Sequence, residues 1–323
     1  MRNLRVKDAI REAILEEMEQ DKNVILLGED IATYGGVFGC TKGLLDKFGP
    51  ARVRNVPLSE SAQPGVAIGA AIAGLRPILE IMYMDWFGMT LDQLVNNANL
   101  GWVWGGQVQV PMVIRVQVSG GRRNGPHHSK SLEVWPAHIP GIKVVMPSNA
   151  YDFKGLLKSA IRDNNPVIFI ENALLYGSIG EVPEEDYVVK IGSARITREG
   201  TDITVIAFSD MVQEALAAAE ILKEEGIDIE IIDPRSIVPM DYETIFSSIK
   251  KTHKVLIVHS SWKRFGIGAE IAATIQEEMF DSLDAPIKRL GILEVPIPAS
   301  PALEPSIRPD KNKIIKTIKE IVN

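Results

Sequence analysis

At 323 residues the chain is long enough for two domains of ordinary size, and 46% hydrophobic with 24% charged residues is the balance of a soluble globular protein. A net charge of −7 with scattered basic residues argues against nucleic acid as a partner, since the doublets Arg122-Arg123 and Lys263-Arg264 are too short to track phosphates. A single cysteine, Cys40, excludes an internal disulfide framework and fits a reducing compartment, and no apolar run reaches the ~18 residues that span a membrane.

The opening MRNLRVKDAIREAILEEMEQD has the spacing of an amphipathic helix and lacks the apolar core and cleavage site of a secretory signal, so a cytoplasmic location is expected. Short apolar runs then alternate with helical patterns. The runs fall at 24–27, 52–56, 77–82, 111–118, 143–146 and 166–170. Helical spacing covers 63–75, 90–100 and 150–162, the last with Ser148 as its predicted N-cap. Runs rich in Val and Ile and apolar on both faces predict buried parallel strands, and their alternation with helices predicts a doubly wound α/β sheet. Residues 177–201 carry turn formers and charge and read as a linker. Strands are predicted again at 203–208, 227–232, 255–258 and 287–293, with helices at 211–225, 242–250, 268–279 and 310–322. The proline-rich 303–309 is expected to be irregular. Two α/β domains result: 1–190, and a smaller 191–323.

Several sites are missing. Gly266 and Gly268 make only GxG, no phosphate loop occurs, and His127, His128, His138, His253 and His259 show no metal-ligand spacing. Two segments carry candidate chemistry. In Val56-Pro57-Leu58-Ser59-Glu60-Ser61-Ala62-Gln63-Pro64-Gly65 an extended run delivers Glu60 to the start of a small-residue helix, at the strand end where open α/β sheets bind ligands. The same carboxylate equally suits a helix dipole, and the residues alone do not separate the two. The loop Gly120–Ser129, GGRRNGPHHS, suits a flexible wall carrying a proton donor, although exposed histidine pairs are common in loops.

In order, VKDAI…LLGED, PLSES…GVAIGAAIAGLRPILEI, the DQL segment, HIPGIKVVMPSNAYDFKGLLKSAIRDNNPVIFIEN and DPRSIVPMD resemble the beta subunit of the thiamine-diphosphate-dependent decarboxylase of 2-oxo-acid dehydrogenase complexes. The resemblance covers essentially the whole chain. It implies an N-terminal domain receiving the cofactor's aminopyrimidine and a transketolase-like C-terminal domain. Glu60 matches the activating glutamate, which would bond a pyrimidine ring nitrogen and so let the exocyclic nitrogen deprotonate the thiazolium carbon. Leu58, Met82 and Trp86 match positions lining the aminopyrimidine pocket. His128 matches a histidine assisting acyl transfer to a lipoyl carrier. Glu29 matches an acidic residue near the channel linking paired sites. Met112, Ala160, Ile161, Asp163 and Asn165 resemble a backbone-carbonyl potassium site.

The GDG…NN pattern that holds the cofactor's magnesium is absent: no GDG occurs, and Asn96-Asn97 stand inside a helical pattern. The resemblance therefore implies that an alpha subunit binds diphosphate and Mg2+, in a heterotetramer of two alpha and two beta chains. A dihydrolipoyl acyltransferase with its lipoyl domain would take the acyl group. Pyruvate or a close 2-oxo acid is the expected substrate, acetoin the second and a branched-chain oxo acid the third. A carboligase half and a non-catalytic assembly subunit are the remaining readings. Lys130 stands where the family often has Gln, Pro64 where small or branched apolar residues are usual, and Arg122 and Arg123 add charge to the same loop.

Overall fold

The computed structural model describes residues 1–322, which form two compact units: Met1–Ser119 with Trp135–Ile191, and Gly120–Val134 with the described residues from Gly192 onward. A linear cut near residue 190 leaves the Gly120–Val134 loop in the first unit, whereas its contacts group it with the second.

The first unit is built on six parallel strands: β1 Val24–Gly28, β2 Val53–Asn55, β3 Arg76–Ile81, β4 Val113–Val118, β5 Lys143–Val145 and β6 Val167–Asn172. They lie in the order β5-β6-β4-β3-β1-β2. Every residue of β4 and β6 is buried, which is why VIRVQV and VIFIEN read as unbroken apolar-tolerant runs rather than alternating ones. The helix Val6–Gln20 packs on the helix Ala150–Arg162, burying Val6, Ile10 and Ile14 together with Leu156, Leu157 and Ile161. Burying an Ile or Leu side chain of this kind contributes roughly 1.5–3 kcal/mol. Their polar edges are tied by Lys154 to Glu16 at 2.7 Å and by Arg162 to Glu17 at 2.9 and 2.7 Å.

Four local expectations are corrected. The cap of Ala150–Arg162 is Asn149, whose side chain accepts from the Asp152 N–H at 3.0 Å, and not Ser148. The stretch 90–100 is not one regular helix: a 3-10 turn Met84–Thr90 leads into Leu91–Gln93 and then a π turn Leu94–Ala98. Asn96 and Asn97 turn their amides back onto Asp92 and Gln93, the kind of local side-chain bonding that weakens a helix ladder. Within 177–201, Ile179–Val182 pairs antiparallel with Arg2–Arg5, and Arg195–Arg198 is a strand. Both are short, charged edges with little hydrophobic period to read. Finally, 303–309 contains a helical turn, Glu304–Ile307.

The second unit has strands β7 Arg195–Arg198, β8 Ile203–Ala207, β9 Ile229–Asp233, β10 Val255–Trp262 and β11 Lys288–Ile292 in the order β11-β10-β8-β9-β7, parallel except for the edge strand β7. Ile314, Ile318 and Ile321 of the last helix pack against Ala215, Ala219 and Leu222 of the helix Asp210–Glu224. No helix among the described residues is long and apolar enough to cross a membrane.

Candidate active site

The chain leaves β1 on one side to form β2 and returns on the other as β3, so β1 lies at a topological switch point, and the carboxyl ends beside it are where an open α/β sheet offers a crevice. Glu29 follows β1, Glu60 follows β2, and Met82 with Trp86 follow β3. Gly28 ends β1 because a side chain there would meet Ile31 at 2.9 Å and Glu80 at 3.0 Å.

Glu60 is 5% exposed, in a turn closed by the Ala62 and Gln63 N–H groups donating to Ser59 O at 2.9 and 3.0 Å. It does not occupy the cap of the helix Gln63–Ile72, a position taken by Ala62. Gln63, which sequence reasoning did not single out, donates to Glu29 Oε1 at 3.0 Å and to Pro57 O at 2.9 Å. Its own Oε1 is buried without a partner. Burial pushes the Glu29 carboxyl above the usual range, the Gln63 bond opposes this, and the charges of Glu60 and Asp30 add to it. Leu58 is largely exposed, Met82 half-buried, and Trp86 38% exposed.

Beneath these residues lies a charge cluster that the sequence did not reveal. Arg115 is fully buried, forks onto Glu171 at 2.7 and 2.9 Å and reaches Glu80 at 2.6 Å, while the Tyr176 hydroxyl donates to Glu171 at 2.6 Å. Burial raises the Glu80 carboxyl while Arg115 pulls it down; burial also opposes the Arg115 charge, which Glu171 and Glu80 restore. The nearby Cys40 thiol is buried and pushed far above its usual range, so it is no nucleophile at neutral pH.

In the second unit, His128 is half-buried in the loop Gly120–Val134, and His127 is exposed. Lys130 turns its ammonium back onto the Pro126 carbonyl. Glu133 is buried, accepts from the Ser131 hydroxyl at 2.7 Å, and has Ser261 as a second partner; burial raises its carboxyl and these bonds oppose the rise.

The five carbonyls expected around potassium are already engaged in part. Arg76 donates to Ile161 O and Asp163 O, both at 3.0 Å, Asp163 N–H donates to Ala160 O at 3.3 Å, and Val167 N–H to Met112 O at 2.9 Å. Among the described residues no three His, Cys, Asp or Glu side chains converge as metal ligands.

The model of the transketolase pyrimidine binding domain matches residues 2–178, and that of the transketolase C-terminal domain matches 192–314. The chain is 45% identical to the pyruvate dehydrogenase E1 component subunit beta of Porphyra purpurea, covering 98% of this chain and 96% of that protein. It is 43% identical to the acetoin:2,6-dichlorophenolindophenol oxidoreductase subunit beta of Bacillus subtilis (strain 168), covering 99% and 98%. Among solved structures, a split-gene transketolase described as an inactive beta4 tetramer superposes with a TM-score of 0.82 at 21% identity, covering 98% of this chain and 97% of that one, which speaks to the fold alone.

Proposed function

The chain belongs to the beta subunits of thiamine-diphosphate-dependent 2-oxo-acid dehydrogenases of the pyruvate and acetoin type, and from that premise we propose that Glu60 is its cofactor-activating group and pyruvate, or a close 2-oxo acid, its substrate. Family membership implies dependence on thiamine diphosphate and Mg2+, an alpha subunit, and an acyltransferase with a lipoyl arm. The observation that carries the reading is Glu60 held buried beside the Glu29–Gln63 bond at the switch point of the sheet.

The residues present fit an aminopyrimidine. Gln63 Oε1 is a buried acceptor lacking a donor, and an amino-substituted ring brings N–H groups. Once bound, the cofactor supplies the electron sink for decarboxylation. Glu60 would exchange a proton at the pyrimidine ring nitrogen, and the Gln63 bond to Glu29 would hold the neighbouring carboxyl in place beside it. Leu58, Met82 and Trp86 form the apolar wall, with the Trp86 indole as a stacking face. The alpha subunit holds diphosphate and Mg2+ in a heterotetramer with two copies of each chain. His128 donates a proton during acyl transfer to lipoyl-lysine.

Two expected outcomes follow. In the complex reconstituted with its alpha subunit, His128→Ala lowers acylation of a lipoyl domain by ~10²-fold while dye-linked oxidation of the substrate stays within about threefold. Equal losses in both assays would remove His128 from the acyl-transfer step. The carbonyls of Met112, Ala160, Ile161 and Asp163 each accept one bond and have a second lone pair to offer a weakly held potassium ion, with Asn165 as the fifth oxygen and Arg76 opposing tight binding. Replacing choline by potassium then raises Tm by a few degrees at most, about 2–4 °C for each kcal/mol of linkage. No potassium-specific shift would leave Arg76 and Lys143 as the cations of that cluster.

Acetoin is the second reading, favoured by the 43% identity to the Bacillus subtilis subunit. Lipoyl-domain acylation from pyruvate, acetoin and a branched-chain oxo acid by the reconstituted complex decides among them, and failure with all three would overturn the substrate class.

A further inference from the structure

We infer that Glu304 is a positioning residue for the loop that carries His128, an inference that rests on the acyl-transfer reading of that histidine. The loop Gly120–Val134 has no regular structure before Val134, and a glycine-rich segment of that length drifts unless something holds it. Glu304 is 1% exposed, and its two oxygens accept from the loop's backbone: Oε1 from the Gly121 N–H at 2.6 Å, Oε2 from the Arg123 N–H at 2.8 Å. Both donors belong to residues with left-handed backbone, Gly121 at φ 94° and Arg123 at φ 65°. That geometry turns neighbouring N–H groups to one side and makes a nest for an anion. A non-glycine residue such as Arg123 keeps this conformation only where its surroundings impose it.

The backbone that carries Glu304 is itself fixed. Glu304 N–H donates to Ser300 O at 3.0 Å, Ile307 O accepts from the Leu293 N–H at 3.1 Å, and Arg308 pairs with Asp210 at 2.6 Å in a nearly buried bridge. At the far end of the loop the buried Glu133 bonds Ser261 of β10 as well as the loop's own Ser131. His127, His128 and Lys130 lie between these two carboxylate anchors, so the histidine hangs on a short span pinned at both ends.

Glu304→Gln keeps the size of the side chain but sets an NH2 donor against one of the two N–H donors, which breaks one anchor bond. In the complex with the alpha subunit, Glu304→Gln should lower lipoyl-domain acylation by ~10–100-fold, the scale of a misplaced reacting group, and leave dye-linked oxidation within about threefold. Trypsin should cut faster after the exposed Arg122 and Arg123, and Glu304→Asp, which keeps the charge, should recover part of the acylation. Wild-type behaviour of Glu304→Gln, or parallel loss of both activities, would overturn the inference while a selective His128→Ala loss left the reading of His128 standing. A His128→Ala variant with no selective loss would fail that reading first, and this inference with it. Should Glu304→Gln not assemble, Glu304→Asp carries the test alone: a selective acylation deficit supports the inference and none overturns it.

Discussion

Glu60→Gln is expected to cut turnover of the reconstituted complex by ~10²–10⁴-fold with either electron acceptor, because the amide keeps the hydrogen-bonding shape of the side chain but cannot exchange a proton. The loss should appear in kcat, since cofactor and substrate contacts are otherwise kept. Stability should hardly change: the fold's neighbouring bonds run through Gln63, which links Glu29 and Pro57 without using Glu60. Removing the Glu60 charge also removes one cause of the raised Glu29 carboxyl, so the variant's residual activity should depend on pH differently from the wild type. Dye-linked and lipoyl-linked assays should fall together, in contrast to the split expected for His128. Retention of more than about a tenth of wild-type kcat would contradict a proton-transfer role.

Arg115→Met should be the most destabilising single change in the first unit. It strands the carboxylates of Glu80 and Glu171, each at most 4% exposed, around an apolar side chain, and breaking one partner out of such a buried network costs about 3–5 kcal/mol. The Glu80 carboxyl, already raised by burial, then loses the cation that pulls it down, so its folded pKa climbs further above the unfolded one. A raised carboxyl contributes its full stability below the unfolded value, about 4.3 for Glu, and loses it as pH climbs. The deficit should therefore be larger at pH 8 than at pH 5. Adding Glu80→Gln and Glu171→Gln should recover much of the loss. Urea midpoints measure all of this, and a deficit below about 1 kcal/mol would mean that solvent reaches the cluster.

The parallel strands were legible because burial on both faces leaves a continuous apolar signature, as in VIFIEN. The edges were not: Ile179–Val182 and Arg195–Arg198 are short and charged, and their pairing depends on partners far along the chain. Glu60 stood out in the sequence as an acid at a strand–helix junction, yet equally as a helix-dipole residue; the cap itself is Ala62, and Glu60 stands two residues before it. Gln63 was within view, three positions on, but its two bonds to Glu29 and Pro57 require the turn at Ser59 to be formed. Arg115 with Glu80 and Glu171, and Glu304 with Gly121, join residues tens to hundreds of positions apart, and no local pattern encodes such pairs.

The role of Glu60 can be read most directly from exchange of the thiazolium C2 proton for deuterium in the assembled complex with bound thiamine diphosphate. Glu60→Gln should slow that exchange by ~10²-fold or more while cofactor stays bound. Exchange at the wild-type rate in the variant would contradict cofactor activation by Glu60.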